Sequence, residues 1–431
     1  MAEITKGETH GEGLKISEEK IDNIPDFKKR IETAVPQNVS EFLETIIGGA
    51  INLGASDIHI EPEETKAKLR IRIDGVLEDL AMIDYKIYEN LLSRIKLLSG
   101  IKFNVTDRPQ DGRFTVLSKE ATIEIRTSTL PAEHGESIVL RILNPKSLID
   151  LEALGLREDL FSLFKQEIKK PNGMIIVTGP TGSGKTTTLY AFLKKINNPE
   201  IKIITIEDPI EYHIKGISQT QVNPAKGYDF ANGLQSIMRQ DPDVILVGEI
   251  RDSKTCQIGL QAALTGHLVF TTLHTNDAAG TIARLTSLEG DLVNIGPAVN
   301  LAIAQRLVRK VCKKCRELIP VSSQDLLKLK EGLKGIPKIV KVPEITKGIK
   351  MPRVKGCKEC NFTGYKGRLG IFEAILIDDE MEKFILKNPS MADFKEEAIK
   401  KGMVPMYQDG LIKVLEGLTT IEEVERITGE I

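Results

Sequence analysis

A chain of 431 residues, 41% hydrophobic, 28% charged and 5% aromatic, has an ordinary globular composition and length for two to four domains. A net charge of −2 and a pI of about 6.4 speak against a dedicated nucleic-acid binder, which carries a basic domain. Apolar runs such as 174–177 fall far short of the roughly 20 residues of a membrane span, and no basic-then-apolar leader opens the chain. The reading is a cytosolic protein that meets a membrane only through a partner.

Residues 1–37 are polar and broken by Gly7, Gly11, Gly13, Pro25 and Pro36, so a flexible N-terminal segment or linker is expected, with a short amphipathic stretch at 16–31. Folded structure starts at Asn38. Val39, Phe42, Leu43, Ile46, Ile47, Ala50 and Ile51 recur at helical spacing, and Asn38 with Glu41 suggests a capping box. Ala67, Leu69, Ile71 and Ile73 alternate with basic residues in a strand pattern, ended by the hairpin signal Asp74-Gly75. A second helix is predicted at 87–98, and further strands at 121–128 and 137–143. Residues 38–148 thus predict a small α+β domain with an antiparallel sheet.

Beyond Asn144-Pro145 the pattern changes. Short apolar runs at 174–178, 203–207, 244–248 and 268–272 predict buried parallel strands with helices between them, so 149–310 is an α/β nucleotide-binding core. Residues 311–369 hold two CxxC pairs around a Lys-rich insert. Residues 370–431 are predicted mostly helical, broken at Gly402 and Pro405.

Gly179, Pro180, Thr181, Gly182, Ser183, Gly184, Lys185 and Thr186 spell GxxxxGK[ST], between a predicted strand and a helix beginning at Thr187. Glycines let backbone N–H groups converge on phosphate, and the helix N-terminus adds positive charge. Lys185 is assigned to the β/γ-phosphates of ATP, and the Thr186 hydroxyl to Mg²⁺.

Two strands end in carboxylates. Residues 243–250 place Glu249 where it can orient water or hold Mg²⁺ through water. Residues 204–212 gather Glu207, Asp208 and Glu211, whose mutual repulsion implies a cation; a solvated acidic loop is the plainer alternative. His267 and His274 flank an apolar strand, and His274 sits where it can sense a γ-phosphate. Arg113, Arg126, Arg141, Arg239 and Arg251 are candidates to neutralise phosphoryl charge, and the residues alone do not choose among them.

Cys312, Cys315, Cys357 and Cys360 form CxxC…CxxC, suited to a closed tetrahedral Zn²⁺ site. The 41-residue gap between the pairs means that the insert loops out. A redox dithiol is the alternative, but nothing near either pair suggests a thioredoxin-like unit. Cys256, alone in a helical stretch, reads as a small buried hydrophobe.

Together, Ala55–Pro62, Arg72-Ile-Asp-Gly75, Arg108–Arg113, the phosphate loop, Glu207–Glu211, Arg239–Asp243, Gly248–Asp252, Thr272–Asn276 and the tetracysteine resemble the type II secretion and type IV pilus assembly ATPase family. The resemblance covers about residues 40–431. It implies a RecA-like P-loop ATPase core, a PAS-like N-terminal α+β domain, a zinc-binding tetracysteine insert and a helical C-terminal subdomain. It also implies an ATP-driven homo-hexamer, pushing an inner-membrane platform protein from the cytoplasmic side to assemble a pseudopilus or pilus. It marks Glu207–Glu211 as the family's Asp box, Gly266–Asn276 as its His box and Glu249 as the Walker B glutamate. Arg113 and Arg126 correspond to arginines that swing onto nucleotide. In this reading Glu249, Glu211, Lys185, His274, Arg113 and Arg126 serve catalysis. The phosphate loop, Thr187, Glu207 and Arg239 bind nucleotide. The family's usual further docking domain is not seen ahead of residue 38. A nucleic-acid-translocating ATPase gripping DNA through its zinc module is the rival reading, and a retraction or DNA-uptake ATPase is another; the tetracysteine favours assembly over retraction.

Overall fold

A computed structural model describes residues 14–16, 21–34, 38–118, 122–145, 148–289, 291–346 and 348–429. The described residues divide into two compact units. The first holds residues up to 145 together with 355–366, and the second holds 148–354 and 367–429.

In the first unit, period-two alternation produces a sheet with one buried face. Its strands are β1 (Leu14–Lys15), β2 (Asp57–Pro62), β3 (Lys66–Ile73), β4 (Val76–Asp84), β5 (Gln110–Leu117), β6 (Thr122–Ala132) and β7 (Gly135–Leu143). Among the described residues their order is β1-β5-β6-β7-β2-β3-β4, antiparallel except for β1 against β5. The hairpin between β3 and β4 turns on Asp74 and Gly75, both at positive φ, as the dipeptide predicts. Helices α2 (Val39–Asn52) and α3 (Tyr85–Ser99) supply Leu43, Ile46, Ile47, Leu91 and Ile95 to a core shared with Ile58, Leu69, Ile125 and Leu140. The Asn38 side chain caps α2 by accepting from the Ser40 N–H, and its amide donates to the Glu41 carboxylate. The two residues meet side chain to side chain, a looser arrangement than a capping box.

Part of the expected flexible segment is ordered. Ile24–Thr33 form helix α1, opened by an Asn23 cap on the Asp26 N–H and by Pro25 in the first turn. Phe27 and Ile31 are buried. A Cβ at Gly49 of α2 would lie 2.3 Å from the Phe27 ring, so the glycine is what lets this ring settle on α2. Leu14, Ile21, Ile24, Phe27 and Ile31, scattered through a polar stretch, show no core in sequence; the core they join is built by α2, α3 and the sheet. The rest of the expected linker, 1–13, 17–20 and 35–37, lies outside the described residues.

The second unit is built on continuous buried strands: β8 (Gly173–Thr178), β9 (Ile203–Glu207), β10 (Ser218–Gln221), β11 (Val244–Val247), β12 (Leu268–Leu273), β13 (Val299–Val311) and, beyond the insert, β16 (Tyr365–Leu376). Their order is β10-β9-β11-β12-β8-β13-β16. The pairs from β10 through β13 are parallel, as buried apolar runs separated by helices require. Helices α4 (Glu158–Glu167), α5 (Lys185–Ile196), α6 (Phe230–Ile237), α7 (Ser253–Leu264), α8 (Ala278–Glu289) and α9 (Leu292–Ala298) accompany the sheet. Strands β10, β13 and β16 extend it past the four predicted strands. The stretch expected to be mostly helical thus opens with a strand, because Leu369, Ile371, Phe372 and Ile375 form a buried apolar run without helical spacing.

The insert contains β14 (Glu317–Pro320), α10 (Ser323–Gly332) and β15 (Lys350–Arg353), with β14 antiparallel to β15. Leu329, Leu333 and Val340 of the insert pack with Val404, Leu411 and Ile412. The chain closes with α11 (Asp379–Ile385), α12 (Met391–Lys400), α13 (Met406–Leu415) and α14 (Ile421–Thr428). A buried ionic cluster ties these helices to the sheet. Asp409 accepts from Arg157 (2.6 Å), Lys413 (2.7 Å) and the Phe372 N–H (2.7 Å). Burial pushes the Lys413 ammonium below its ordinary pKa, against the pull of Asp409. Among the described residues, no helix is long and apolar enough to cross a membrane.

Candidate nucleotide site and cysteine cluster

Parallel strands gather their C-terminal ends on one edge of a sheet, where open α/β folds bind ligands. Here that edge receives the phosphate loop after Thr178, the acidic segment after Ile206, Glu249 after Val247 and His274 after Leu273. The Thr178 hydroxyl donates to the Leu273 carbonyl and accepts from the Thr275 N–H, 2.8 Å away, which ties the loop strand to the His274 segment.

The loop has the backbone that its sequence implies. Gly179, Gly182 and Gly184 lie at φ of +147°, +80° and +91°, a region that glycine reaches without steric cost. A Cβ at Gly179 would stand 2.6 Å from the Gln305 carbonyl, and one at Gly184 would stand 2.7 Å from the Gln305 amide nitrogen. Helix α5 begins at Lys185, two residues before its predicted start at Thr187, so its first N–H groups point into the loop. The buried Ser183 hydroxyl has no hydrogen-bond partner among the described residues. Lys185 donates to the Gly179 and Pro180 carbonyls, at 2.9 and 3.2 Å. Burial lowers its pKa, while Glu249 opposes the shift. A glycine cradle, an orphaned hydroxyl and a lysine held only by carbonyls fit a polyphosphate. Thr186 lies exposed in the first turn, where a hydroxyl can ligate a phosphate-bound Mg²⁺.

Glu249 sits just past β11 between Arg251 and His274. Arg251 approaches one carboxylate oxygen at 2.5 Å, and the His274 ring approaches the other at 3.3 Å. Arg251, one of five candidate arginines, is therefore the one beside Glu249. His267 lies at the opposite end of β12. Its carbonyl accepts from the Gly173 N–H at the start of β8, and its ring lies 3.1 Å from the Ala262 carbonyl. The two histidines that flank one apolar run therefore stand at opposite ends of the sheet.

Glu207 is turned inward. One carboxylate oxygen accepts from the Thr205 hydroxyl (2.5 Å) and the Gln219 amide (3.2 Å), and the other pairs with the Tyr190 hydroxyl. Tyr190 belongs to α5, so this carboxylate braces the helix that carries Lys185. Burial and the Glu207 charge push the Tyr190 phenol up. Asp208 is exposed and Glu211 is half-buried, so the acidic cluster separates into one bracing carboxylate and two residues nearer solvent. Arg239 donates to the Ser236 hydroxyl at 3.3 Å. Thr187 follows Thr186 on α5, half-buried.

In the first unit, strand register aligns Arg113 with Arg126, Arg126 with Arg141, Arg141 with Asp57 and Asp57 with Arg72. Directly opposed residues share a sheet face, so Arg113 and Arg126 belong to a row of four arginines. Asp57 binds Arg141 at 3.0 Å and lies 3.7 Å from Arg72.

The cysteines of the insert converge. The sulfurs of Cys312, Cys315, Cys357 and Cys360 lie within 4.8 Å of one another, and Cys357 and Cys360 are 3.7 Å apart. Tetrahedral Zn–S bonds of about 2.3 Å place sulfurs about 3.8 Å apart, so the donor set fits zinc. Tight turns supply the geometry: Cys315 and Arg316 donate to the Cys312 carbonyl, and Cys360 and Phe362 donate to that of Cys357. Cys256 is fully buried, and burial pushes its thiol up to about 12, in keeping with a packing role. Protein purified under reducing conditions without chelator is expected to carry one zinc per chain by metal analysis, and Cys360→Ser to lose it. Metal-free wild-type protein with unchanged folding would exclude the assignment.

The profile of the family described as Type II/IV secretion system protein matches residues 32–426. The chain belongs to this family. It is 40% identical over 410 residues to the type II secretion system ATPase E of Vibrio cholerae, covering 95% of this chain and 79% of that protein. It is 42% identical over 405 residues to the type IV pilus assembly ATPase PilB of Thermus thermophilus, covering 92% of this chain. It spans 44% of that longer relative. The solved pilus retraction motor PilT with bound ADP matches with a TM-score of 0.58 at 26% identity, covering 88% of this chain and 95% of PilT. The ATPase DotB of Legionella pneumophila shares the fold, with a TM-score of 0.64 at 22% identity over 89% of this chain and 94% of DotB.

Sequence reasoning missed several residues of this secretion-family ATPase. Gln305 and Arg306 on β13 line the phosphate loop: Gln305 accepts from the Thr188 hydroxyl at 2.7 Å, and Arg306 donates to the Asn276 carbonyl at 2.8 Å. The available signal was a polar pair interrupting a long buried strand. Glu373, 3% exposed, accepts from the first N–H of α8 (Ala278, 2.8 Å) and of α13 (Met406, 2.9 Å). One carboxylate thereby caps two helices, the first of which follows the His274 segment.

Proposed function

We propose that this chain is an ATP-hydrolysing motor that assembles a type II secretion pseudopilus or a type IV pilus. It works as a homo-hexamer on the cytoplasmic face of the inner membrane, pushing a membrane platform protein. The observation that carries this reading is the placement of Glu249, between Arg251 and His274, on the same sheet edge as the phosphate loop. A loop alone binds nucleotide; a carboxylate held on that edge can also orient water for attack.

Lys185 and the amides of residues 182–186 hold the triphosphate, Thr186 ligates Mg²⁺ and Glu249 takes the attacking water. The bound Mg²⁺ supplies charge neutralisation on the phosphates. Arg113 and Arg126 supply further positive charge to the transferring phosphoryl group, and His274 registers whether that group is present. Glu211 and Arg239 complete the polar surroundings. The family names attached to the relatives support the choice of work, and the tetracysteine supports assembly.

Lys185→Ala is expected to abolish measurable phosphate release and to weaken nucleotide binding, since it removes the charge that meets the β/γ-phosphates. Steady-state hydrolysis and fluorescent-nucleotide titration test this together. Wild-type turnover in the variant would overturn the reading.

A further inference from the structure

The charge of the chain is concentrated. Residues 309–354 carry 13 Lys and Arg against four Asp and Glu, in a chain that is net −2 as a whole. Lys310, Lys313, Lys330, Lys334, Lys338 and Lys350 are exposed. The same segment displays apolar side chains to solvent: Ile339 is 79% exposed, Leu327 60% and Leu318 50%.

Packing holds these groups outward. On α10, Leu326 and Leu329 are buried, while Leu327 and Lys330 stand three residues apart on the other side. Val340 is 7% exposed and packs with Leu329 and Leu333. Its N–H closes a turn onto the Pro337 carbonyl at 2.9 Å. Because Val340 is anchored inward, its neighbour Ile339 projects from the turn between Lys338 and Lys341.

The chemistry selects the partner. Surfaces that grip single-stranded nucleic acid interleave cations with aromatic side chains that stack on bases. Residues 309–354 contain no aromatic residue, and ten of the 13 cations are lysines. Aliphatic side chains among lysines suit the bilayer interface, where lysine heads meet anionic headgroups and apolar tips enter the acyl boundary. We infer that the outer surface of the insert, with Leu327, Lys330, Lys334, Lys338 and Ile339, binds an anionic lipid bilayer directly. This adds a contact of the chain's own to any docking through a platform protein.

Co-sedimentation of the full chain with vesicles tests the inference, without nucleotide and so independently of the motor reading. Vesicles containing phosphatidylglycerol are expected to capture the protein, and pure phosphatidylcholine vesicles to leave it in solution. Added salt should release it, as headgroup charge is screened. The double variant Lys334→Glu/Lys338→Glu and, separately, Ile339→Asp should each weaken capture about tenfold, with wild-type zinc content and hydrolysis showing that they fold. Equal capture by both vesicle types, or wild-type capture of both variants, would overturn the inference. So would tighter binding to duplex DNA than to anionic vesicles, which would make the surface one for nucleic acid.

Discussion

Glu249→Gln lowers the rate of ATP hydrolysis by about 10²- to 10⁴-fold, the range for a positioned acid–base group, while nucleotide affinity stays within a few-fold of wild type. The amide keeps the size of the side chain and loses the basic oxygen that would take a proton from water. Glu249 lies between Arg251 and His274, and Lys185 and the loop amides keep their own roles. The loss therefore falls on kcat rather than on binding. Single-turnover phosphate release, alongside a binding titration, separates the two. An unchanged kcat would remove Glu249 from the chemistry, and a comparable loss of affinity would make it a binding group. Arg251→Ala offers a graded comparison: it frees one oxygen of Glu249 and should cost less than Glu249→Gln itself.

Asp409→Ala destabilises the second unit by about 3–5 kcal/mol, the cost of breaking a buried ion pair from one side. Asp409 is fully buried and accepts from Arg157, Lys413 and the Phe372 N–H. Its removal leaves Lys413 with the Gly370 carbonyl and Arg157 with Asp159, two cations in a low-dielectric interior without the carboxylate that balanced them both. Urea unfolding combined with hydrogen exchange in α13 reads this out. A loss below about 1 kcal/mol, as is usual for exposed pairs, would show the cluster to be peripheral. Lys413→Met is the informative partner, because Asp409 would still keep Arg157 and the Phe372 N–H, so no buried charge is left without a counter-charge. It should cost less than Asp409→Ala.

The candidate site was legible where its chemistry is local. The phosphate loop needs glycines, a lysine and a hydroxyl within eight residues, and each sits in the backbone conformation that its residue type implies. The cysteine pairs were similarly readable, since two-residue spacing is what places two sulfurs on one metal. Glu207 was harder. Its sequence neighbours suggest an acidic cluster around a cation, whereas its partners Tyr190, Thr205 and Gln219 come from three different strands and helices. A carboxylate at a strand end can face solvent or turn inward, and only the positions of those hydroxyl and amide groups choose. Gln305, Arg306 and Glu373 lay outside any motif because Thr188, Asn276, Ala278 and Met406, to which they bond, are 30 to 117 residues away along the chain.

By itself, then, the sequence determined the kind of strands each unit uses, the loop at Gly179–Thr186, the strand that ends ahead of Glu249 and the pairing of the four cysteines by CxxC spacing, because periodicity, turns and short motifs are set by neighbours in the chain. The tertiary structure alone decided that α1 packs on Gly49, that β10, β13 and β16 complete the second sheet, that the His274 ring meets a Glu249 oxygen, and that Asp409 and Glu373 join helices to the sheet. Each of these depends on which distant backbone or side chain fills a given space, and that is settled by packing and by the need to satisfy buried polar groups.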